Sequence, residues 1–445
     1  MSAEILDQRY HLPYAWLPGG VARDVTLTAR GGRWTRIASD DPGDQAVRLA
    51  GLGLPGLANA HSHAFHRALR GRTQGHVAGG GSFWTWREAM YDVSARLDPD
   101  RYLALARATY AEMVLAGITT VAEFHYLHHQ PGGAPYTEPN AMGHALVGAA
   151  DDAGIRLTLL DTCYLTGGLE QTGPVALSPE QRQFADADAG AWAARVAALS
   201  EAPNLRIGVA AHSIRAVPPR ALTRVAEVGT DRPLHVHVSE QPAENAACQA
   251  VHGCSPVQLL AEHGLLTRST TLVHATHVSD SDVQSIATSD GARVCLCPTT
   301  ERDLADGMGP AARLASAGVR LSLGSDQHAV VDMFEEMRAV EMHERLRTLR
   351  RGVFEPVALL AAATDHAGLG WPDAGRLEVG ARADLVAVRT DTVRTAGADP
   401  SQLLSAATAA DVHTVLVDGE PVVREGRHRL GDVGAMLGAA IGALW

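Results

Sequence analysis

Lysine is absent from this sequence of 445 residues, and all 38 basic residues are arginine. The absence excludes every reaction that depends on an amine side chain. A pyridoxal Schiff base and a phosphate-binding loop of the Walker type both need lysine. A carbamylated lysine that bridges two metal ions is excluded for the same reason. Any metal site in this chain must therefore be built from other residue types.

Cysteine is scarce, and long apolar runs are missing. Five cysteines, an odd number, do not form a disulfide framework. Cys163, Cys295 and Cys297 lie in apolar strand-like runs, where a thiol acts as a small buried hydrophobe. No run of about 18 apolar residues predicts a membrane span, and no basic segment followed by an apolar one predicts a signal peptide. We therefore expect a cytoplasmic protein.

Acidic residues outnumber basic ones by 50 to 38, which gives a formal net charge of −12. Such a charge argues against nucleic acid or an anionic membrane as the main partner. The chain is 46% hydrophobic and 20% charged, so it can bury a sizeable core. Intrinsically disordered and collagen-like classes are excluded by this composition.

Two segments of short alternating strands flank a longer segment of different character. Residues 1–54 and 378–430 alternate apolar and polar residues between Gly and Pro turns, and we expect them to form one small β-sandwich domain. Residues 55–377 alternate apolar runs with Ala-rich helical stretches, and residues 431–445 predict a helical tail. The predicted strands of the middle segment are Leu57–His63, Thr119–Tyr126, Arg156–Leu165, Leu205–Ser213, Pro233–Glu240, Thr270–His277, Arg293–Pro298 and Arg320–Asp326.

Eight strand–helix units predict an α/β fold of the (β/α)8, TIM-like barrel type. The alternative is an open, doubly wound sheet, but no Gly-x-Gly-x-x-Gly motif follows the first predicted strand. Most of the predicted strands end in polar residues, among them His, Glu and Asp. In a (β/α)8 barrel these carboxyl ends share the face on which active sites are built.

Three histidines and an aspartate at these strand ends predict a metal site. His61 and His63 are two residues apart in a predicted strand, so both side chains point the same way and can bind one ion. Asp326 ends the last strand, which lies beside the first when the barrel closes. His237 supplies the third imidazole, whereas His235 would lie one layer deeper as a core histidine. Without lysine, one divalent ion is the simplest interpretation, and zinc suits this set best.

Two further polar residues predict hydrolytic chemistry at this ion. Glu240 follows His237 by three residues, so its carboxylate can reach over the metal from the open end of the barrel. His274 ends the sixth run and can orient a water together with Asp326, while His277 is the alternative in that run. We therefore expect Glu240, His274 and Asp326 to be catalytic.

Several longer motifs are more specific than these single residues. They are LPGLANAHSHAFHRALRG (Leu54–Gly71), GSFWTWREAMY (Gly81–Tyr91), TTVAEFHYLHH (Thr119–His129), AAHSIRAV (Ala210–Val217), HVSEQ from His237, LVHATH around His274 and LGSDQH around Asp326. Over nearly the whole chain, the sequence resembles the amidohydrolase superfamily. Within it, the sequence is similar to the N-formimidoyl-L-glutamate deiminases of histidine degradation.

The resemblance implies hydrolysis of a small dicarboxylate, N-formimidoyl-L-glutamate, to N-formyl-L-glutamate and ammonia, with one Zn²⁺ per chain. It implies that Glu240 is the proton shuttle. His66 stands where this subgroup has glutamine, and an imidazole can still donate one hydrogen bond to a substrate. By motif match, the metal ligands would be His61, His63, His237 and Asp326, and the substrate-binding residues would be His66, Arg87, Tyr126, His212 and Arg215.

Two other functions agree with parts of the pattern. A deaminase of a nucleobase-like ring or of another amidine would share the metal site but would not need two arginines. A metal-binding protein without turnover would not need a proton shuttle such as Glu240.

We also expect the chain to form a homodimer.

Overall fold

The computed structural model describes residues 7–39, 43, 45–75 and 83–445. Its strands are β1 (Gln8–Leu17), β2 (Gly20–Arg30), β3 (Arg33–Ser39), β4 (Val47–Arg48), β5 (Leu52–Leu54), β6 (Leu57–Ser62), β7 (Ile118–His125), β8 (Arg156–Cys163), β9 (Gly168–Glu170), β10 (Gly173–Val175), β11 (Leu205–Ser213), β12 (Leu234–Val238), β13 (Thr270–His274), β14 (Arg293–Leu296), β15 (Arg320–Leu323), β16 (Leu385–Val388), β17 (Val412–Val417), β18 (Glu420–Arg424) and β19 (Arg427–His428).

Helices fill most of the connections between these strands. They are α1 (Phe83–Ser94), α2 (Pro99–Leu115), α3 (Ala141–Ala153), α4 (Ala189–Ala198), α5 (Pro219–Val228), α6 (Pro242–His252), α7 (Pro256–Glu262), α8 (Asp280–Ala287), α9 (Pro298–Asp303), α10 (Ala311–Ser316), α11 (Met333–Thr348), α12 (Pro356–Ala363) and α13 (Val433–Gly442). Within the described ranges, no helix is both long enough and apolar enough to cross a membrane.

The central structure is a barrel of eight parallel strands. Their order is β6, β7, β8, β11, β12, β13, β14 and β15, and every neighbouring pair is parallel. These strands coincide with the eight predicted runs. The predicted (β/α)8 fold is therefore confirmed.

The barrel closes where β15 meets β6. Ser62 and Asp326 form a parallel bridge, the N–H of Asp326 donates to the His61 carbonyl at 2.9 Å, and the N–H of His63 donates to the Asp326 carbonyl at 3.2 Å. Gly324 lies against this seam, and a Cβ added to it would be 2.7 Å from the Cβ of His61. Because any other residue would collide there, glycine permits the close approach of the first and last strands.

Strands from both ends of the chain form a second sheet. Its order is β19, β18, β17, β16, β5, β1, β2 and β3, and β4 also pairs with β1. The sheet curls back on itself, since the N–H of Trp34 in β3 donates to the Ala381 carbonyl at 2.9 Å, shortly before β16. The curl encloses a separate core that includes Leu12, Leu27 and Leu385. The predicted joining of the two ends in one small β structure is thus confirmed, while the predicted boundaries at 1–54, 378–430 and 431–445 remain predictions.

A buried ion pair joins this sheet to the bottom of the barrel. Arg156, the first residue of β8, donates to both carboxylate oxygens of Asp384, which precedes β16. The two side chains are each 1% exposed. The guanidinium group of Arg156 also lies 3.1 Å from a carboxylate oxygen of Asp418 and 5.6 Å from the ring centre of Trp371. Removing one partner would leave a buried charge incompletely compensated.

We predict that Asp384→Asn lowers the free energy of unfolding by about 3 kcal/mol, the usual cost of breaking a buried ion pair from one side. Urea unfolding followed by circular dichroism measures this change in the free energy of unfolding. The control is Asp391→Asn, because Asp391 pairs with Arg389 at the surface and its side chain is 69% exposed. The control should leave the urea midpoint unchanged. An equal effect of the two substitutions would show that the buried pair does not stabilise the domain contact.

Candidate metal centre and substrate cavity

Four side chains meet at the carboxyl end of the barrel beside the seam. His61, His63, His237 and Asp326 each place one ligand atom within 4.8 Å of the others, and all four are buried. The Nε2 atoms of His61 and His237 are 3.0 Å apart. Asp326 Oδ1 lies 3.3 Å from His61 Nε2 and 3.4 Å from His63 Nε2. Such separations match neighbouring ligands around one ion whose bonds are about 2.0–2.2 Å long.

Backbone carbonyl groups fix the direction of two of these imidazoles. His63 Nδ1 donates to the Phe124 carbonyl at 3.0 Å, and His237 Nδ1 donates to the His212 carbonyl at 2.8 Å. Because the proton resides on Nδ1, the lone pair of Nε2 faces the shared point. Burial lowers the pKa of His61, His63 and His237, that of His63 to about 3. The rings are therefore neutral, as metal ligands must be.

The carboxylate of the group needs a cation beside it. Burial raises the pKa of Asp326 to about 7, although the charge of His274 opposes the rise. A divalent ion would stabilise the ionised form of this carboxylate. Neutral imidazoles aimed at a buried acid are a donor set that suits a zinc-like ion. His235 is buried outside the group, and His277 instead bonds to the Asp306 carbonyl at 2.8 Å.

Glu240 and His274 lie beside this group. His274 Nε2 is 3.7 Å from Asp326 Oδ2 and 3.9 Å from Glu240 Oε1, and its Nδ1 is 3.5 Å from Glu301 Oε1. Burial would lower the pKa of His274, but Glu301, Glu240 and Asp326 raise it to about 10. The three predicted catalytic residues thus form one contact group.

The backbone around the site is strained. Ser239, His274, Ala275, Asp326 and His328 all have φ between 45° and 70°. Residues other than glycine rarely adopt this left-handed region, and such strain tends to concentrate at functional sites. All five lie at or just after the carboxyl ends of β12, β13 or β15, at the mouth of the barrel.

A cavity of about 200 Å³ opens above the metal group. Aromatic side chains form much of its wall, among them Trp86, Tyr164 and Phe184, and the β9–β10 hairpin contributes Leu169 and Glu170 to its rim. The sequence did not predict this hairpin. Every residue predicted to bind substrate lines the cavity, namely His66, Arg87, Tyr126, His212 and Arg215.

Arg215 contacts the predicted proton shuttle directly. Its Nη2 donates to Glu240 Oε2 at 2.6 Å, and its Nε lies 4.0 Å from Glu244 Oε2. Burial raises the pKa of Glu240, but the charge and hydrogen bond of Arg215 outweigh it and leave the pKa below its ordinary value. Arg215 therefore holds Glu240 as a carboxylate. Arg87, on α1, lies 5.6 Å from the ring centre of Tyr91.

His66 shares a hydrogen bond of 2.8 Å with the hydroxyl of Tyr126 through Nε2. Its ring packs edge-on against Trp86, with the centroids 4.9 Å apart. Among the described residues, His66 Nδ1 is buried without a hydrogen-bond partner. The imidazole that replaces the expected glutamine is therefore fixed at the cavity wall. Gly81 and Ser82 of the neighbouring motif lie outside the described residues.

Two buried acids support the predicted residues and were missed by sequence reasoning. Glu244, in the first turn of α6, accepts a hydrogen bond from the N–H of Glu240 at 3.1 Å. Glu301, in α9, accepts one from the N–H of Cys297 at 2.9 Å and lies beside His274. Each acid follows a strand end by only a few residues. That position was the signal available, although it does not distinguish these acids from solvated helix residues.

A second buried cluster, His125, His128 and Asp161, also has the residue types of a metal site. Arg195 Nη1 and Nη2, however, donate to the two oxygens of Asp161 at 2.8 and 3.0 Å. Arg195 also donates to Asp186 at 2.8 Å. Because a guanidinium cation already compensates these acids, the cluster forms a structural ion-pair network.

Comparisons with known proteins agree with this architecture. The amidohydrolase family model matches residues 53–422. The chain therefore belongs to the amidohydrolase family, and it is an enzyme that cleaves carbon–nitrogen bonds by hydrolysis. This result overturns the alternative of a metal-binding protein without turnover.

Individual relatives differ in substrate. Formimidoylglutamate deiminase of Pseudomonas aeruginosa is 39% identical over 433 residues, which span 93% of this chain and 94% of that protein. A 5-methylthioadenosine/S-adenosylhomocysteine deaminase of Halobacterium salinarum is 30% identical over 417 residues, or 90% of this chain and 88% of that protein. The crystal structure of an amidohydrolase from Brucella melitensis superposes with a TM-score of 0.90 at 34% identity, covering 98% of this chain and 99% of that one.

We predict one tightly bound divalent ion per chain, removable by a chelator, and its loss in His61→Ala, because this substitution deletes one of only four ligands. Elemental analysis after dialysis measures the stoichiometry. The matched control is His235→Gln, a buried histidine outside the ligand group, which should keep the ion. Two tightly bound ions in the unaltered chain, or full metal content in His61→Ala, would contradict the assignment.

Proposed function

We propose that the enzyme deiminates N-formimidoyl-L-glutamate, giving N-formyl-L-glutamate and ammonia in histidine degradation, with one Zn²⁺ per chain. The observation that carries the proposal is the joining, in one cavity, of the metal group and two arginines, Arg87 and Arg215. A dicarboxylate needs cations, and in a chain of net charge −12 they have to be placed locally. The similarity to formimidoylglutamate deiminase of Pseudomonas aeruginosa supports the same substrate.

The reaction transfers the oxygen of one water to the formimidoyl carbon. A carbon–oxygen bond forms, the bond from carbon to the terminal nitrogen breaks, and both water protons leave with that nitrogen as ammonia. A zinc ion held by His61, His63, His237 and Asp326 would supply the Lewis acidity that makes water nucleophilic near neutral pH.

Residues of the chain would then move the protons. Glu240, held as a carboxylate by Arg215, would take a proton from the attacking water and deliver it to the departing nitrogen. Asp326 and His274, 3.7 Å apart, would orient that water. We assign recognition of the two carboxylates to Arg87 and Arg215. A guanidinium group has five N–H donors, so Arg215 can bind Glu240 and a substrate carboxylate together.

We predict that Glu240→Gln keeps the metal but lowers kcat by about 10²–10⁴-fold, the range for loss of a general acid–base. Glutamine has nearly the same shape and still accepts from Arg215, but it cannot carry a proton. Ammonia release and metal content are measured on the same sample. Glu227→Gln, at an exposed glutamate that pairs with Arg224 on the surface, is the control and should retain turnover. If Glu240→Gln loses the metal instead, Glu240 is a ligand and not the shuttle.

The substrate assignment is tested by measuring ammonia release from N-formimidoyl-L-glutamate, N-formimidoyl-L-aspartate, formimidoylglycine, adenosine and 8-oxoguanine. The expected order places N-formimidoyl-L-glutamate first and the two ring compounds last. The aromatic wall of Trp86, Tyr164 and Phe184 could also accommodate a ring. Efficient turnover of a ring amine without turnover of formimidoyl compounds would overturn the proposal in favour of a ring deaminase.

We predict that Arg87→Met lowers kcat/KM for N-formimidoyl-L-glutamate by about 10- to 150-fold, because a hydrogen bond to a charged group contributes about 1.5–3 kcal/mol. Formimidoylglycine, which lacks the side-chain carboxylate, should lose much less. Arg182→Met, at an exposed arginine, is the control. An equal loss for both substrates would mean that Arg87 binds the α-carboxylate or shapes the cavity, and does not bind the side-chain carboxylate. A cytoplasmic location and a homodimer remain predictions.

A further inference from the structure

Cys297 lies next to the proposed catalytic group without a part in the mechanism. It lies directly after β14, is the N-cap residue of α9 and is fully buried. Its thiol sulfur, one ring nitrogen of His274 and one carboxylate oxygen of Asp326 all lie within 4.8 Å of one another. Neutral imidazole, thiolate and carboxylate are donors that zinc and cadmium bind. A metal ion at this point would therefore displace the proton of the His274 ring and that of the Cys297 thiol.

The two oxygens of Asp326 face different groups. Oδ1 lies 3.3 and 3.4 Å from His61 and His63, on the side of the four-ligand group. Oδ2 lies 3.7 Å from His274 Nε2. A carboxylate in this position can bridge two ions, as carboxylates do in sites whose metals are about 3.5–4 Å apart.

Buried acids cluster on the Cys297 side. Glu301 Oε1 lies 3.5 Å from His274 Nδ1, and Asp306 is buried with an oxygen, Oδ2, that has no hydrogen-bond partner among the described residues. Asp326 belongs to the same group. Within the described ranges, Glu240 alone among the acids of the site has an arginine at hydrogen-bond distance, Arg215 at 2.6 Å. A second cation would stabilise the ionised form of these acids.

We propose that His274, Cys297 and Asp326 form a second, weaker metal site for soft divalent ions, and that its occupation stops turnover. The site has three donors against four in the catalytic group, so it fills only when metal is in excess. Binding removes His274 and Asp326 from their roles in orienting water. The inhibition rests on the proposed function, whereas the metal binding itself does not.

The test starts from the enzyme with one zinc per chain and adds Cd²⁺ alone. Cys254 is the only cysteine of the five that is partly exposed, so a Cys254→Ser background removes competing binding. We expect one Cd²⁺ to bind per chain with the zinc retained, an ultraviolet thiolate-to-cadmium absorption band to rise in parallel, and ammonia release to fall. Elemental analysis distinguishes addition of Cd²⁺ from exchange for zinc.

In this background, Cys297→Ser and Cys297→Ala should abolish the absorption band and raise the half-inhibitory Cd²⁺ concentration by about 10- to 100-fold or more, relative to each variant's own uninhibited rate. Cys163→Ser, at a buried cysteine of β8, is the matched control and should keep both effects. Exchange of zinc without extra metal, or equal behaviour of the Cys163 and Cys297 variants, would overturn the site. If formimidoyl substrates are not turned over, the absorption band still tests the metal binding, so the two proposals fail separately.

Discussion

The backbone hydrogen bond from Asp326 to the His61 carbonyl is the contact on which the site depends. It joins the last barrel strand to the first, so residues from opposite ends of the barrel segment become neighbours. His61, His63 and Asp326 are brought within ligand distance by this pairing alone, and only His237 comes from elsewhere in the barrel. The absence of a Cβ at Gly324 makes the approach possible. Closing the barrel therefore also assembles the candidate metal site.

The barrel and its metal group could be predicted because they leave direct marks in the sequence. Parallel strands buried on both sides read as short apolar runs, and eight such runs became the eight strands. The two-residue spacing of His61 and His63 follows from the geometry of a single strand. The position of Asp326 at the end of the last run is informative because barrels close. Each inference needed only local spacing and one topological rule.

Other features could not be predicted because they depend on distances between elements distant in sequence. The Arg215–Glu240 pair spans two strand ends, and no spacing rule fixes which of several acids an arginine contacts. Glu301 contacts His274 across neighbouring strands in the same way. The curl that brings β3 to the segment before β16 is set by packing of Leu12, Leu27 and Leu385. Sequence reasoning could place these residues in elements but could not identify their partners.

The buried histidines of the site differ in role because their second ring nitrogen, Nδ1, has different partners. His63 and His237 donate from Nδ1 to backbone carbonyls, which are neutral, so each ring stays uncharged and offers a lone pair to a metal. His274 instead has the carboxylate of Glu301 at Nδ1, and Glu301, Glu240 and Asp326 together raise its pKa to about 10 despite burial. A carbonyl partner thus keeps a ring neutral, whereas the carboxylates around His274 keep its ring charged until a metal ion displaces the proton. Since all three rings are buried, the partner and not solvent exposure separates the two roles.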